Sequence, residues 1–172
     1  MFGYGSLIWK IDFAYRERRR AACSGYARRF WQGSHDHRGT PDAPGRVVTL
    51  IEEPGAVCVG MAYRIAAAET NVILDHLDFR EKNGYERLDL TLQVDGIDAP
   101  TPGLVYVATP DNFAHLGPAP DAEIAAQIAR SHGPSGANSD YLFELDRALT
   151  SLGAHDAHVA GLAGLVRSRL GC

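Results

Sequence analysis

Residues 88–94, Leu-Asp-Leu-Thr-Leu-Gln-Val, alternate strictly between apolar and polar side chains. A period of two is typical of a β-strand with one buried face and one exposed face. Asp95-Gly96 follows as a turn signal, and Leu104–Ala108 predicts a further strand beyond that turn. This stretch therefore indicates a sheet rather than an all-helical fold.

Two more strands are predicted upstream of this segment. Val47–Ile51 is a continuous apolar run, which is consistent with a strand buried on both faces. Residues 57–65 carry an apolar side chain at every second position. Pro54-Gly55 separates the two segments, so we expect a hairpin turn there.

Helices are predicted between and after the strands. The first covers Ala67–Phe79. A second begins near Asp121, a plausible N-cap, and ends at Gly133-Pro134. Asn138 is expected to cap a third helix, and residues 156–170 form the last.

The order of these elements predicts a single α+β domain over residues 1–172. Strands come first, one helix is inserted among them, and three helices close the chain, which is not the regular alternation of a doubly wound parallel sheet. We expect a small, mixed, barrel-like sheet with peripheral helices. A length of 172 residues is that of one ordinary domain with a full core.

Composition argues against several classes of protein. The net charge of −4 disfavours nucleic acid as a partner, and we interpret the six arginines between Arg16 and Arg29, interrupted by Glu17, as a solvated strand face. No apolar run approaches the roughly 18 residues of a membrane span. The three cysteines are odd in number and form no CxxC pair, so we expect free thiols in a reducing cytoplasm.

The first candidate site is the N-terminal segment Phe2-Gly3-Tyr4-Gly5-Ser6-Leu7. Glycines allow the backbone to approach a ligand closely, and successive exposed N–H groups can hold a carboxylate. A tight turn that merely closes a strand is the alternative interpretation.

A second candidate lies in residues 30–41, where polar, ionisable and glycine residues are crowded together. His35 and His37, with Asp36 between them, fall on one side of a strand and could chelate a metal. No third ligand is spaced recognisably, so we expect no metal and favour a polar loop.

The third candidate is Phe79-Arg80-Glu81-Lys82-Asn83-Gly84-Tyr85, where a helix ends and a strand begins. Glu81 buried in a cleft would have a raised pKa and act as a general base near neutral pH. The alternative is a solvated charge cluster at the C-terminus of the helix, where cations suit the helix dipole.

A further set of motifs extends the candidates along nearly the whole chain. They are Phe2-Gly-Tyr-Gly-Ser-Leu-Ile-Trp9, Arg29-Phe-Trp-Gln-Gly-Ser34, Asp36-His-Arg-Gly-Thr-Pro41, Pro44-Gly-Arg-Val-Val-Thr-Leu50, Arg80-Glu-Lys-Asn-Gly-Tyr85, Ala108-Thr-Pro-Asp-Asn112, Leu116-Gly-Pro-Ala-Pro120, Gly133-Pro-Ser-Gly136 and Asn138-Ser-Asp-Tyr-Leu142. In this order they resemble the ChaC family, the glutathione-specific γ-glutamylcyclotransferases. The resemblance implies a γ-glutamylcyclotransferase-like fold and cleavage of glutathione to 5-oxoproline and cysteinylglycine without a metal or organic cofactor.

The resemblance also implies roles for individual residues. Glu81 matches the catalytic glutamate of the family, and the segment Tyr4, Gly5, Ser6 and Leu7 matches its substrate-binding loop. Further substrate contacts are expected from four residues. These are Tyr85, as a hydrogen-bond donor to the substrate or the developing oxyanion, Tyr141, and, for the glycine carboxylate of glutathione, Arg38 and Arg46.

Two other functions stay open at this point. One is a cyclotransferase with broader specificity for γ-glutamyl amino acids or γ-glutamylamines. The other is a non-catalytic regulatory protein that binds its ligand without converting it. A Glu81 side chain facing bulk solvent would favour the second of these.

Overall fold

Two long antiparallel strands form the centre of the sheet in the computed structural model, which describes residues 1–171. They are β2 (Glu17–Ser34) and β3 (Gly45–Arg64), paired along almost their whole length. The short β1 (Phe2–Gly3) pairs with β3, whereas β4 (Tyr85–Val94) and β5 (Thr101–Ala108) extend the sheet beyond β2. Every strand pair is antiparallel, in the order β1-β3-β2-β4-β5.

The prediction of a hairpin turn at Pro54-Gly55 is wrong, because β3 runs through it. Ser24 pairs with Val57, but Tyr26 pairs with Glu52, so β3 has extra residues opposite Gly25. Gly25 and Gly55 have φ values of 84° and 87°, which glycine adopts readily. The Pro-Gly signal thus marks an irregularity within a long paired strand rather than its end.

The predicted α+β class is confirmed, with a sheet that is open and antiparallel throughout. Side chains link β5 to the other end of the sheet. The fully buried Thr49 hydroxyl of β3 donates to the Ala108 carbonyl at 2.9 Å and accepts from the Ala108 N–H at 3.0 Å. The Tyr4 hydroxyl donates to the Tyr106 carbonyl at 2.8 Å. These bonds connect β5 to β3 and to the residue that follows β1, although the sheet does not close into a barrel.

Four helices surround the sheet. The first, α1 (Thr70–Arg80), packs Ile73 and Leu77 against Tyr106 of β5. After β5 come α2 (Asp121–Arg130), β6 (His132–Gly133), β7 (Gly136–Ala137), α3 (Asn138–Ser151) and α4 (Ala157–Leu170). The last three helices share the main apolar core with β2 and β3. None of the helices within residues 1–171 is both long enough and apolar enough to cross a bilayer.

The two predicted helix caps do not form. Asp121 is the first residue of α2, whose N-cap is Pro120, and no side chain caps that helix. Asn138 opens α3, but its side chain instead accepts from the Arg46 N–H at 2.6 Å and donates to the Arg46 carbonyl at 2.8 Å. A tertiary contact that satisfies two buried backbone groups of β3 therefore replaces the local cap.

Candidate active site

A cavity of about 250 Å³ opens where the N-terminal segment meets the end of α1. Its wall is drawn from several separate parts of the chain, with residues from the ranges 2–12, 33–48 and 80–85 together with Tyr106, Ser135 and Tyr141. The first and third candidate segments of the sequence therefore meet in one place.

The N-terminal segment forms a tight turn against the core. A Cβ atom at Gly3 would lie 2.6 Å from Cβ of Leu7, and one at Gly5 would lie 3.0 Å from the Tyr141 hydroxyl. Within residues 1–171 the N–H groups of Gly5, Ser6 and Leu7 donate no hydrogen bond. Three consecutive residues of the cavity lining therefore have unused N–H donors, which is an arrangement suited to a carboxylate.

Glu81 lies in the cavity at the end of α1. Its N–H donates to the Leu77 carbonyl at 2.8 Å, which fixes the backbone, and its side chain is 20% exposed. Burial raises the pKa of Glu81 above its ordinary value, the Arg80 guanidinium opposes this, and the carboxylates of Asp12 and Asp36 add to it. The side chain is therefore a half-buried carboxylate that can take up and release a proton, rather than a solvated helix cap.

Arg80 connects Glu81 to the glycine turn. Its Nε atom lies 3.2 Å from Oε1 of Glu81, its Nη2 donates to the Ser6 hydroxyl at 2.7 Å, and its Nη1 donates to Asp12 at 2.8 Å. Sequence reasoning treated Arg80 as a cation for the helix dipole and did not single out Asp12. The position of Arg80 next to Glu81 was the available signal, whereas nothing local marks Asp12.

Three tyrosines line the same cavity, of which Tyr4 and Tyr141 are buried and Tyr85 is partly buried. Burial raises the pKa of Tyr141 to about 12 and the pKa values of the other two well above their usual range, so all three are protonated at neutral pH. The Tyr4 hydroxyl donates to the Tyr106 carbonyl, and the Tyr85 hydroxyl donates to the Val48 carbonyl at 2.8 Å.

Tyr141 differs from its two neighbours in how its hydroxyl is used. Its oxygen is hydrogen-bonded to the Val48 backbone. Its O–H proton, however, has no acceptor among residues 1–171. Tyr141 therefore has a donor free for a bound molecule, whereas the donor of Tyr85 is already engaged. Nothing in the sequence distinguishes the two tyrosines in this respect.

The two arginines expected at the glycine end of the substrate are separated by the fold. Arg38 lies in the cavity wall, where one nitrogen donates to the Ala137 carbonyl at 3.0 Å and the guanidinium carbon lies 5.9 Å from the centre of the Tyr141 ring. The remaining N–H groups of its guanidinium have no hydrogen-bond acceptor within residues 1–171, whereas its backbone N–H donates to the Ser34 hydroxyl.

The structure places Arg46 elsewhere, so it does not carry its expected role. Arg46 is 6% exposed, does not line the cavity, and donates to the side chain of Gln127 and to the carbonyls of Phe30 and Gly117. These bonds join β3 to α2 and to the loop before α2, and Arg46 is a structural residue.

The remaining ionisable residues of the sequence candidates form a polar loop. Asp36 and His37 line the cavity rim, and His37 Nδ1 lies 3.2 Å from the Ser135 hydroxyl. In the described part of the chain, no three His, Cys, Asp or Glu side chains are grouped as metal ligands would be. Cys23 and Cys58 are buried free thiols paired across β2 and β3, and Cys172 lies outside the described residues.

Sequence comparison connects this site to known proteins. A family model described as "ChaC-like protein" matches residues 1–169. The chain is 48% identical to γ-glutamylcyclotransferase 2-3 of Arabidopsis thaliana, over 97% of this chain and 87% of the relative. It is 42% identical to the human glutathione-specific γ-glutamylcyclotransferase 1, over all of this chain and 80% of the relative.

Structural comparison gives the same result. The crystal structure of a yeast γ-glutamylcyclotransferase specific to glutathione superposes with a TM-score of 0.89 at 32% identity, over 97% of this chain and 94% of the other. A second structure, described as a γ-glutamyl cyclotransferase, gives a TM-score of 0.57 at 14% identity over 94% of this chain and 83% of the other, which is a likeness of fold.

Proposed function

The chain belongs to the family of ChaC-like proteins, and we propose that it is a glutathione-specific γ-glutamylcyclotransferase that converts glutathione to 5-oxoproline and cysteinylglycine. Two relatives support the choice of glutathione, because both are named for this substrate. They are the human enzyme at 42% identity and the Saccharomyces cerevisiae enzyme at 34% identity. The observation that carries the mechanism is a half-buried glutamate beside three unused backbone donors in one cavity.

The nucleophile of this reaction comes from the substrate. The α-amine of the γ-glutamyl group attacks the γ-carbonyl carbon, a five-membered lactam closes, and the bond from that carbon to the cysteine nitrogen breaks. The protein then has to fold the substrate so that the amine and the carbonyl meet. Positioning of this kind can contribute about 7 kcal/mol or more in favourable cases. No cofactor is required by this scheme.

Glu81 is the proposed proton carrier. The α-amine is an ammonium at neutral pH and must lose a proton before it can attack, and it loses a second proton as the lactam forms. The leaving nitrogen gains two protons and departs as the ammonium of cysteinylglycine. A carboxylate with a raised pKa can take and return each proton in turn, and it ends the cycle in its starting state.

The remaining contacts orient the substrate and stabilise developing charge. The N–H groups of Gly5, Ser6 and Leu7 hold the α-carboxylate, which places the adjacent amine near Glu81. The free hydroxyl donor of Tyr141 stabilises the negative oxygen of the tetrahedral intermediate. Arg38 receives the glycine carboxylate, and Tyr4 and Tyr85 shape the wall between these points.

A turnover assay tests the proposal directly. The purified protein is incubated with glutathione, and 5-oxoproline and cysteinylglycine are measured. Formation of both in equal amounts is expected, and their absence would exclude the enzyme in favour of a binding protein.

A substrate panel then decides between a glutathione enzyme and a broader one. γ-Glutamyl-alanine carries the same reacting groups but lacks the cysteinylglycine end that Arg38 would recognise. A glutathione-specific enzyme should leave it unchanged, whereas a broad γ-glutamylcyclotransferase should cyclise it.

We propose the reducing cytoplasm as the compartment of this protein, because Cys23 and Cys58 lie opposite each other and are both free thiols.

A further inference from the structure

Arg28 of β2 is a buried cation that the proposed reaction does not use. The residue is 2% exposed and lies in the wall of a second cavity, which shares no lining residue with the candidate active site. Its Nε donates to the Tyr4 carbonyl at 2.7 Å, its Nη2 to the Val59 carbonyl at 2.6 Å, and its Nη1 to Asp156 at 2.6 Å.

Asp156 holds this guanidinium in place. A charge so deeply buried is tolerated only when it is paired and hydrogen-bonded. One oxygen of Asp156 accepts from Arg28, and the other accepts from the Val159 N–H at 3.2 Å, where it caps α4. Arg28 is therefore fixed at its far end by the start of α4, and its Nε is directed at the Tyr4 carbonyl.

The bond to Tyr4 determines where the next N–H group points. The described residues contain no cis peptide bond, and in a planar trans peptide the C=O of one residue and the N–H of the next point in opposite directions. Because Arg28 holds the Tyr4 carbonyl on its own side, the Gly5 N–H is directed away from Arg28, and Gly5 lines the substrate cavity. The cation also polarises the peptide and strengthens its N–H as a donor.

We propose that Arg28, held by Asp156, is a positioning residue that orients the Tyr4–Gly5 peptide so that the Gly5 N–H binds the α-carboxylate of the substrate. Arg28 touches neither the substrate nor Glu81. The inference rests on the proposed function. It gives a role in substrate binding to Arg28, a core residue that lies 24 positions from Tyr4 in the sequence.

The test compares glutathione with an analogue that lacks only the α-carboxylate, 4-aminobutanoyl-cysteinylglycine. The analogue keeps the attacking amine and the amide to be cleaved, and it cyclises to 2-pyrrolidinone. The ratio of kcat/KM for glutathione to kcat/KM for the analogue measures how much the enzyme gains from the α-carboxylate. A loss of folded protein lowers both values equally and leaves the ratio unchanged.

Three variants separate positioning from general stability. Arg28→Met should lower the ratio by about ten- to a hundredfold, mainly through KM for glutathione, since a hydrogen bond to a charged group is lost. Asp156→Asn keeps an oxygen that can cap α4 but removes the charge that holds Arg28, and it should lower the ratio by a smaller factor. Arg29→Met is the matched control, because Arg29 pairs with Glu53 and has no bond to the turn.

The outcomes distinguish this inference from the proposed function. If the wild type forms 5-oxoproline but Arg28→Met and Asp156→Asn lose activity equally on both substrates, Arg28 is only a structural residue and the inference is wrong. If Arg28→Met does not fold, the ratio in Asp156→Asn decides. If the wild type forms no 5-oxoproline from glutathione, the proposed function fails and the positioning role fails with it.

Discussion

The guanidinium of Arg80 lies 3.2 Å from the carboxylate of Glu81. It also lies 2.7 Å from the Ser6 hydroxyl and 2.8 Å from the Asp12 carboxylate. One cation thus contacts the proposed base, the proposed substrate-binding turn and a second carboxylate. Its charge lowers the pKa of Glu81 whereas burial raises it, so the pKa of the proposed base depends on the balance between desolvation and this pair.

That balance predicts opposite shifts in the pH dependence of two variants. Arg80 lowers the pKa of Glu81, so Arg80→Met should raise it further and move the acid limb of kcat/KM to higher pH. Asp12 raises the pKa of Glu81, so Asp12→Asn should move the acid limb to lower pH. The measurement is kcat/KM against pH for each variant, and shifts in the same direction would contradict the assignment of Glu81.

Glu81→Gln should abolish turnover and stabilise the fold at neutral pH. Loss of the proton carrier should reduce kcat by about 100-fold or more. The pKa of Glu81 is raised in the folded state, so its stabilising contribution is present in acid and is lost as pH rises through the folded pKa. An uncharged amide removes that loss, so the free energy of unfolding near pH 7 should increase.

Two measurements check this variant. Product formation by Glu81→Gln is compared with wild type, and chemical denaturation of both proteins is followed at pH 7 and at pH 4. The stability gain should shrink at pH 4, where the wild-type carboxyl is more often protonated. Full turnover by Glu81→Gln would remove Glu81 from the mechanism.

Tyr141→Phe and Tyr85→Phe should have different effects although both remove one tyrosine hydroxyl from the cavity lining. Tyr141 has the unused donor, and its loss should lower kcat by about 100-fold, as for other oxyanion donors. Tyr85 donates to Val48, and its loss should cost about 1 kcal/mol of unfolding free energy with a smaller effect on kcat. If kcat falls more in Tyr85→Phe, the oxyanion donor is Tyr85.

Gly5→Ala should raise KM for glutathione. The added Cβ would lie 3.0 Å from both the Tyr141 hydroxyl and a Val48 methyl group, so the turn has to shift by a few tenths of an ångström. The three N–H donors would then lie out of line with the α-carboxylate. Steady-state kinetics check this, with Gly164→Ala as the control, because a Cβ there meets nothing. An unchanged KM would show that the turn does not bind the substrate.

Local patterns in the sequence predict much of this fold. The alternation over residues 88–94 lies within β4, and the periodicities of α1 and α4 place those helices to within a few residues. Local signals fail where a distant partner competes for the same group. Asn138 was expected to cap α3 but bonds to Arg46, and Pro54-Gly55 was expected to end a strand that β2 keeps paired.

The candidate site shows the same limit. Glu81 stands in a charged segment that on spacing alone resembles a solvated helix end, and only the fold shows that its side chain is largely withdrawn from water. Arg38 and Arg46 are only eight positions apart, yet one lies in the cavity wall and the other in the core. Their separation depends on which strand face and which neighbours each one meets, which no local pattern encodes.

The cavity wall combines the N-terminal turn with Tyr141, which follows much later in the chain. Translation releases the N-terminal turn well before α3 emerges from the ribosome. Until then the nascent chain carries the glycine turn and Glu81 without Tyr141, which completes the cavity lining. We therefore expect a nascent chain that still lacks α3 to be inactive, because the proposed site takes part of its lining from that helix.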